Sequence, residues 1–223
     1  MSGKQIIICM CILFLSGEAL ALPWWLNFWS SDTTEYTYPA EVANSCKENE
    51  CPSYTVVNSF GDYELRRYEP SVWIATNVTG RSNELRSAKR SMFWSLFRYI
   101  TGANTEGTKI KMTAPVLKNM SRACDTCEGI STMYFMIPAK HRNNPPAPTN
   151  SAAYLVNMPA MEVYVRYFGG RPSNNEKMTQ LENLEQSLTR DAKNYESSYY
   201  IEAGYDSPWT MFKRRNEMWL VAK

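Results

Sequence analysis

Few residues in this sequence have side chains suited to chemistry, and they are unevenly spread. His141 is the only histidine among 223 residues, and imidazole is both the usual general base near neutral pH and the commonest metal ligand. A cage of several histidines or a zincin-type helix is therefore excluded. His141 stands in the polar run Lys140-His141-Arg142-Asn143-Asn144, where an exposed bystander is a better reading than a metal ligand. Cys46 and Cys51 have four residues between them, and Cys124 and Cys127 form a C-x-x-C pair. In a reducing compartment those spacings suit a four-thiolate zinc site; in an oxidising one they suit disulfides. Nucleophile elbow, P-loop and dinucleotide fingerprints do not occur, so binding rather than catalysis is expected.

The N-terminus bears on the compartment. Lys4 supplies a positive start, Ile6 to Leu15 is an unbroken apolar run, and Ala19-Leu20-Ala21 has the small-x-small form of a cleavage site, so residues 1–21 read as a secretory signal peptide. An apolar run of that length rises only about 15 Å as a helix, half of a bilayer core. An uncleaved anchor is the alternative, since Trp24, Trp25, Phe28 and Trp29 suit a membrane interface. Cleavage removes Cys9 and Cys11 and sends the rest to a secreted or lumenal location with no transmembrane span. Disulfides among Cys46, Cys51, Cys124 and Cys127 are then expected; three connectivities are open, with the two local pairs favoured. Glu128 rather than histidine follows Cys127, which excludes covalent c-type heme attachment. Asn77-Val78-Thr79 and Asn119-Met120-Ser121 are glycosylation acceptors in the same setting.

Charge narrows the partners. Lys plus Arg number 24 against 22 Asp plus Glu, with 44% hydrophobic and 13% aromatic residues, a balance that fits a folded globular protein and argues against nucleic acid as partner. The near-neutral total hides an asymmetry. Arg81 to Lys111 carries seven bases against two acids, and Glu176 to Asp206 carries seven acids against three bases. Within the basic stretch Arg90 and Arg98 interleave with Phe93 and Phe97 at helical spacing. Rings for stacking and guanidinium forks for carboxylates suit a flat anionic aromatic ligand.

The elements that must position these residues come next. Residues 22–52 lack strand or helix periodicity and read as an N-terminal extension; the folded body spans 53–223. Tyr54 to Val57, Tyr63 to Tyr68 and Val72 to Val78 are β-branched and aromatic runs broken by Gly61 and Pro70, as strands are. Ser82 is placed to cap a helix carrying Leu85, Ala88, Met92, Phe93, Leu96 and Ile100, which Gly102 ends. Strands over Lys109 to Met120 and Ile130 to Ile137 follow, then a loop with Pro145, Pro146 and Pro148. Glu162 to Phe168 matches the Val72 to Val78 strand, and a helix with Leu181, Leu184, Leu188, Ala192 and Tyr195 on one face matches the first helix. Val72 aligns with Val163, and Ala114-Pro115 with Ser207-Pro208. The fold class is therefore α+β, a duplicated β-α-β-β unit with pseudo-repeats over about 54–137 and 154–223, enclosing an apolar cleft between halves.

Tyr63-Glu64-Leu65-Arg66-Arg67-Tyr68, Lys109-Ile110-Lys111-Met112-Thr113-Ala114-Pro115-Val116, Ala203-Gly204-Tyr205-Asp206-Ser207-Pro208 and Arg215-Asn216-Glu217-Met218-Trp219-Leu220 resemble the signature segments of the SOUL/heme-binding protein family. The resemblance implies a distorted antiparallel β-barrel with two helices, like bacterial effector-binding domains, and non-enzymatic, non-covalent binding of heme or related porphyrins. It implies ligand contacts at Arg90, Phe93, Phe97 and Arg98, with phenylalanine replacing the family's methionines at the two middle positions. The axial histidine of some members corresponds to Arg67, and arginine offers iron no lone pair. A lysine that assists in the cleft corresponds to Thr210, with Lys213 nearby. Met92 and Met112 are conceivable soft ligands, though methionine on a helix or strand more often packs in a core. Heme carriage is the first expectation; an interaction module that kept the fold and binds another amphipathic ligand or a protein is the second.

Overall fold

The computed structural model describes residues 46, 49–122, 126–207, 210 and 214–223. The expected signal peptide, most of the 22–52 extension, Cys124 and Lys213 lie outside the described residues.

Nine strands form one antiparallel sheet. They are β1 Tyr54–Ser59, β2 Glu64–Tyr68, β3 Ser71–Gly80, β4 Val116–Ser121, β5 Gly129–Met136, β6 Ala153–Met158, β7 Met161–Gly169, β8 Tyr199–Gly204 and β9 Arg215–Val221. Among the described residues three α-helices accompany them: α1 Ser82–Ser87, α2 Lys89–Ile100 and α3 Asn174–Arg190. The strand order is β1-β2-β7-β9-β8-β4-β5-β3-β6, and the sheet curls into a half-barrel of α+β class. Exchanging β2 with β6, β3 with β7, β4 with β8 and β5 with β9 gives the same order backwards, β1 excepted. The duplication is thus built into the topology, with β4 and β8 paired at its centre. The first strand of each unit crosses over: β2 pairs with β7, and β6 with β3.

Period-two alternation along the strands feeds three cores. On the helix side, Ile74, Met133 and Phe135 pack under Met92 and Leu96 of α2, while Tyr164, Met218 and Leu220 pack under Leu181, Leu184 and Leu188 of α3. Inside the curl, Tyr68, Trp73, Leu117, Val165, Ile201 and Trp219 meet. That interior also holds charge. Glu217 is fully buried; its Oε1 accepts from Arg66 Nη1 at 3.0 Å and from Arg215 Nε and Nη2 at 2.9 and 2.6 Å. Its Oε2 accepts from Tyr205 Oη at 2.9 Å and Trp219 Nε1 at 2.8 Å. Arg66 also reaches Glu64 at 2.6 Å, which leaves two guanidiniums facing two carboxylates.

Several sequence expectations shift by local chemistry. Ser82 is the first residue of α1 rather than its cap: Arg81 holds the extended conformation before the helix, and its backbone N–H donates to the Glu84 carboxylate at 2.7 Å. The first helix is also two, divided at Ala88. Ser173 and Glu176 form a reciprocal capping box at the start of α3, a pattern that stabilises helix N-termini. Ala192 and Tyr195 fall beyond α3, because Ala192 turns to φ 51° and Lys193 N–H closes onto Leu188 at 2.8 Å. Residues 109–115 stay outside the ladder: Pro115 has no N–H to offer, Ile110 N–H bonds to Ile100, and Thr113 Oγ1 to Met136. Val72 and Val163 do occupy equivalent strands. The proline match does not hold, since Pro115 precedes β4 whereas Ser207 already lies past the end of β8.

Candidate ligand site

Helical geometry makes α2 two-faced. Met92, Leu96, Tyr99 and Ile100 are buried against the sheet. Offsets of three, four, seven and eight residues put Arg90, Phe93, Trp94, Phe97 and Arg98 on a flanking stripe, in which Phe93 and Phe97 are half-buried against the core and Arg90, Trp94 and Arg98 are exposed. Phe93 and Phe97 stack with ring centroids 5.8 Å apart and planes 17° from parallel, and Trp94 sits edge-on to both at 5.9 and 5.4 Å. Phe93 is anchored below by Phe135 at 5.3 Å, while Trp94 is 44% exposed. Arg90 and Arg98 are exposed at either end, about 12 Å apart by the 1.5 Å helical rise. The proline loop steadies this helix: Tyr99 Oη donates to the Pro146 carbonyl at 2.8 Å, and Asn150 Nδ2 to Ser95 Oγ at 2.9 Å. The four residues expected at a ligand site therefore share one surface. Trp94 was missed, although its position four residues from both arginines is visible in the sequence.

The remaining candidates are dispersed. Arg67, at the family's histidine position, spends its guanidinium on Glu162, at 2.5 Å and 2.9 Å across β2 and β7. His141 is half-buried at the end of a short 3-10 turn. Met92 is core, and Met112 packs half-buried against the same cluster. Thr210 is tied by its carbonyl to Arg171 and Arg214, each at 3.3 Å. Asn77 is exposed on β3, and Asn119 is half-buried on β4 between two neighbouring strands. Cys46 and Cys51 are disulfide-bonded, and so is Cys127, which removes those thiolates from zinc. Among the described residues no group of three His, Cys, Asp or Glu is placed to hold a metal, and no helix is long and apolar enough to cross a membrane.

The two units also meet at a cavity of mixed polar and apolar lining. This cavity, of about 220 Å³, lies between α1 and α3 over the central β4–β8 pair, lined by Arg86, Lys89, Lys118, Arg122 and Lys177 with Glu202 as the sole acid. Leu85, Met120, Met178, Leu181 and Tyr200 supply its apolar wall. Lys118 and Glu202 face one another across the ladder, but it is Lys177 that ion-pairs with Glu202, at 2.5 Å. Burial lowers the Lys118 ammonium from its usual range; Glu202 opposes that shift, and Lys89 and Lys177 add to it. Desolvation, and then the neighbouring Lys177, lower the Lys89 ammonium too. For Glu202, burial pushes upward, but Lys177 and Lys118 outweigh it and the carboxyl ends below its ordinary value.

A curled antiparallel sheet built from two β-α-β-β units, each preceded by a strand that pairs with the other unit, with helices on one side, defines the effector-binding class of α+β fold. The C-terminal domain of EcmrR shares it, with a TM-score of 0.54 at 9% identity over 76% of this chain and 98% of that one. The chain belongs to the SOUL heme-binding protein family, whose model matches residues 49–221. Human heme-binding protein 2 is 36% identical over 164 residues, covering 73% of this chain and 79% of that protein. Heme-binding protein 1 of Xenopus laevis is 29% identical over 160 residues, covering 71% and 83%.

Proposed function

We propose that this protein binds heme or a related porphyrin without catalysis, as a tetrapyrrole carrier or scavenger, using the outer stripe of α2. The observation that carries the reading is the ring surface of Phe93, Trp94 and Phe97 with a guanidinium at each end. Flat macrocycles stack on such rings, and arginine forks match propionate carboxylates. Heme supplies iron and an extended π-system when bound; the chain's own part is to stack and to neutralise. The donor set fits peripheral holding better than axial ligation, because Arg67 stands at the histidine position and His141 is held in its turn. Disulfide bonding at Cys46–Cys51 and Cys127 supports an oxidising compartment and hence the secretory reading of residues 1–21. Exposed Asn77 is the better of the two acceptors for a glycan there.

Hemin titration followed at the Soret band tests the site. Saturable one-to-one binding is expected, weakened about tenfold by Trp94→Ala and by Arg90→Ala or Arg98→Ala. Each change removes one stacking or charge-assisted contact of about 1–2 kcal/mol, and 1.4 kcal/mol is tenfold in affinity. A Soret band unmoved by micromolar hemin, or unaltered in all three variants, refutes the assignment.

A further inference from the structure

We propose that the inter-unit cavity is a second binding site, for a compact amphipathic organic anion bearing carboxylate or phosphate groups, distinct from the tetrapyrrole surface on α2. Five bases against one carboxylate is an arrangement that folding alone does not favour, because like charges repel and their desolvation is costly. Lys118 is the base most deeply set in the cavity wall. It is only 6% exposed, lines the cavity and makes no hydrogen bond or ion pair with any described residue. Its facing carboxylate, Glu202, is already ion-paired with Lys177 at 2.5 Å, so an anion entering the cavity would give this largely desolvated ammonium a charge partner of its own. Arg86 adds a second cation with no ion pair among the described residues, whereas Arg122 is already matched by Glu185.

Size and walls define the ligand. About 220 Å³ lies below the roughly 300–1,000 Å³ of pockets that hold drug-sized molecules, so a whole macrocycle does not fit inside. Leu85, Met120, Leu181 and Tyr200 give one side an apolar surface, while Lys118, Lys177, Lys89 and Arg86 take the charge. A small aromatic or aliphatic di-anion matches both halves. Inorganic phosphate matches only one.

Phthalate and phenyl phosphate are the probes, with inorganic phosphate as the charge-only control, each measured by calorimetry and thermal shift at fixed ionic strength. Both organic anions should bind and raise the melting temperature, and inorganic phosphate should bind at least tenfold more weakly. Lys118→Met should abolish binding while melting at or above the wild type, since it keeps the packing and relieves charge crowding. Glu202→Gln should tighten binding severalfold by removing the only carboxylate. Arg98→Ala should leave phthalate binding unchanged, and phthalate should not displace hemin. The proposal is overturned if neither organic probe binds, if Lys118→Met binds as well as wild type, if phosphate binds equally well, or if phthalate competes with hemin. Competition would make the cavity the propionate end of the tetrapyrrole site, and loss of hemin binding alone would leave the phthalate result intact.

Discussion

Replacing Glu217 by glutamine is the sharpest test of how the half-barrel interior is held together. The two side chains have nearly the same shape, so the change removes charge while packing is kept. In the native protein the carboxylate accepts hydrogen bonds from the guanidiniums of Arg66 and Arg215, from Tyr205 Oη and from Trp219 Nε1. Glutamine must turn an amide donor toward one set of these donors, and it leaves Glu64 as the remaining carboxylate of the pairings around Arg66. Breaking one partner of a buried ion pair costs about 3–5 kcal/mol, a large part of the 5–15 kcal/mol that typically holds a domain folded. For a domain of this size each kcal/mol moves the melting temperature by roughly 2–4 °C, so a fall of about 6–20 °C is expected. Urea denaturation followed by far-UV circular dichroism gives the free energy directly, provided the slope is unchanged. Arg67→Ala is the matched comparison. It breaks an Arg–Glu pair that is 58% and 34% exposed at its two side chains, and exposed pairs are worth about 0–1 kcal/mol. A Glu217→Gln loss below about 1 kcal/mol, or one no larger than that of Arg67→Ala, would refute the view that burial makes this network matter.

Met92→Ala should cost about 2–5 kcal/mol as a core truncation, whereas Trp94→Ala should stay within about 0.5 kcal/mol, so denaturation separates the two faces of α2. His141→Ala should leave the hemin spectrum unchanged; loss of a low-spin signal would make His141 a ligand after all. Asp191 should lend stability only above strong acid. The hydrogen bond from Arg190, and then that from Tyr63, hold its carboxyl at about 2, below the ordinary value near 3.9. A depressed carboxyl stabilises the fold above about pH 4, and the contribution drains away as pH falls toward 2. Asp191→Asn should flatten that part of the acid unfolding curve, and an unchanged curve would count against the contact.

How much of this was readable in the sequence depended on the range of the interaction. The pairing of Phe93 with Phe97 and the spacing of Arg90 and Arg98 follow from helical periodicity, so the α2 stripe could be assembled from local pattern alone. Duplication was readable because strands β3 and β7 carry similar runs around Val72 and Val163. The exchange of β2 and β6 between units was not, since it rests on pairings such as Leu65 with Tyr164, ninety-nine positions apart in sequence. The basic cavity was hidden for the same reason: Arg86, Lys118 and Lys177 come from a helix, a strand and a second helix. Lys118 did leave one trace, a lysine in a strand between Leu117 and Met120 where a buried position calls for an apolar residue. The segments that carried the family resemblance turned out to meet elsewhere. Arg66, Tyr68, Tyr205, Arg215, Glu217 and Trp219 converge inside the curl, so what they record is how the barrel is held together, while the stripe proposed to hold the ligand lies on a helix none of them includes.

The crossed strands carry a consequence for how such a molecule is assembled. Each unit, β-β-α-β-β when the crossing strand is counted, lends its first strand to the other and receives one in return, so a unit expressed alone would present an unfilled place beside β3 or β7 and a strand with nowhere to pair. Two copies of one unit could satisfy each other only by trading those strands, which is the geometry of a domain-swapped homodimer. Joining the copies in a single chain makes the trade intramolecular and lets the halves drift apart in sequence. One helix has become basic and ring-bearing and the other acidic, while the β4–β8 seam still needs both halves before it exists at all.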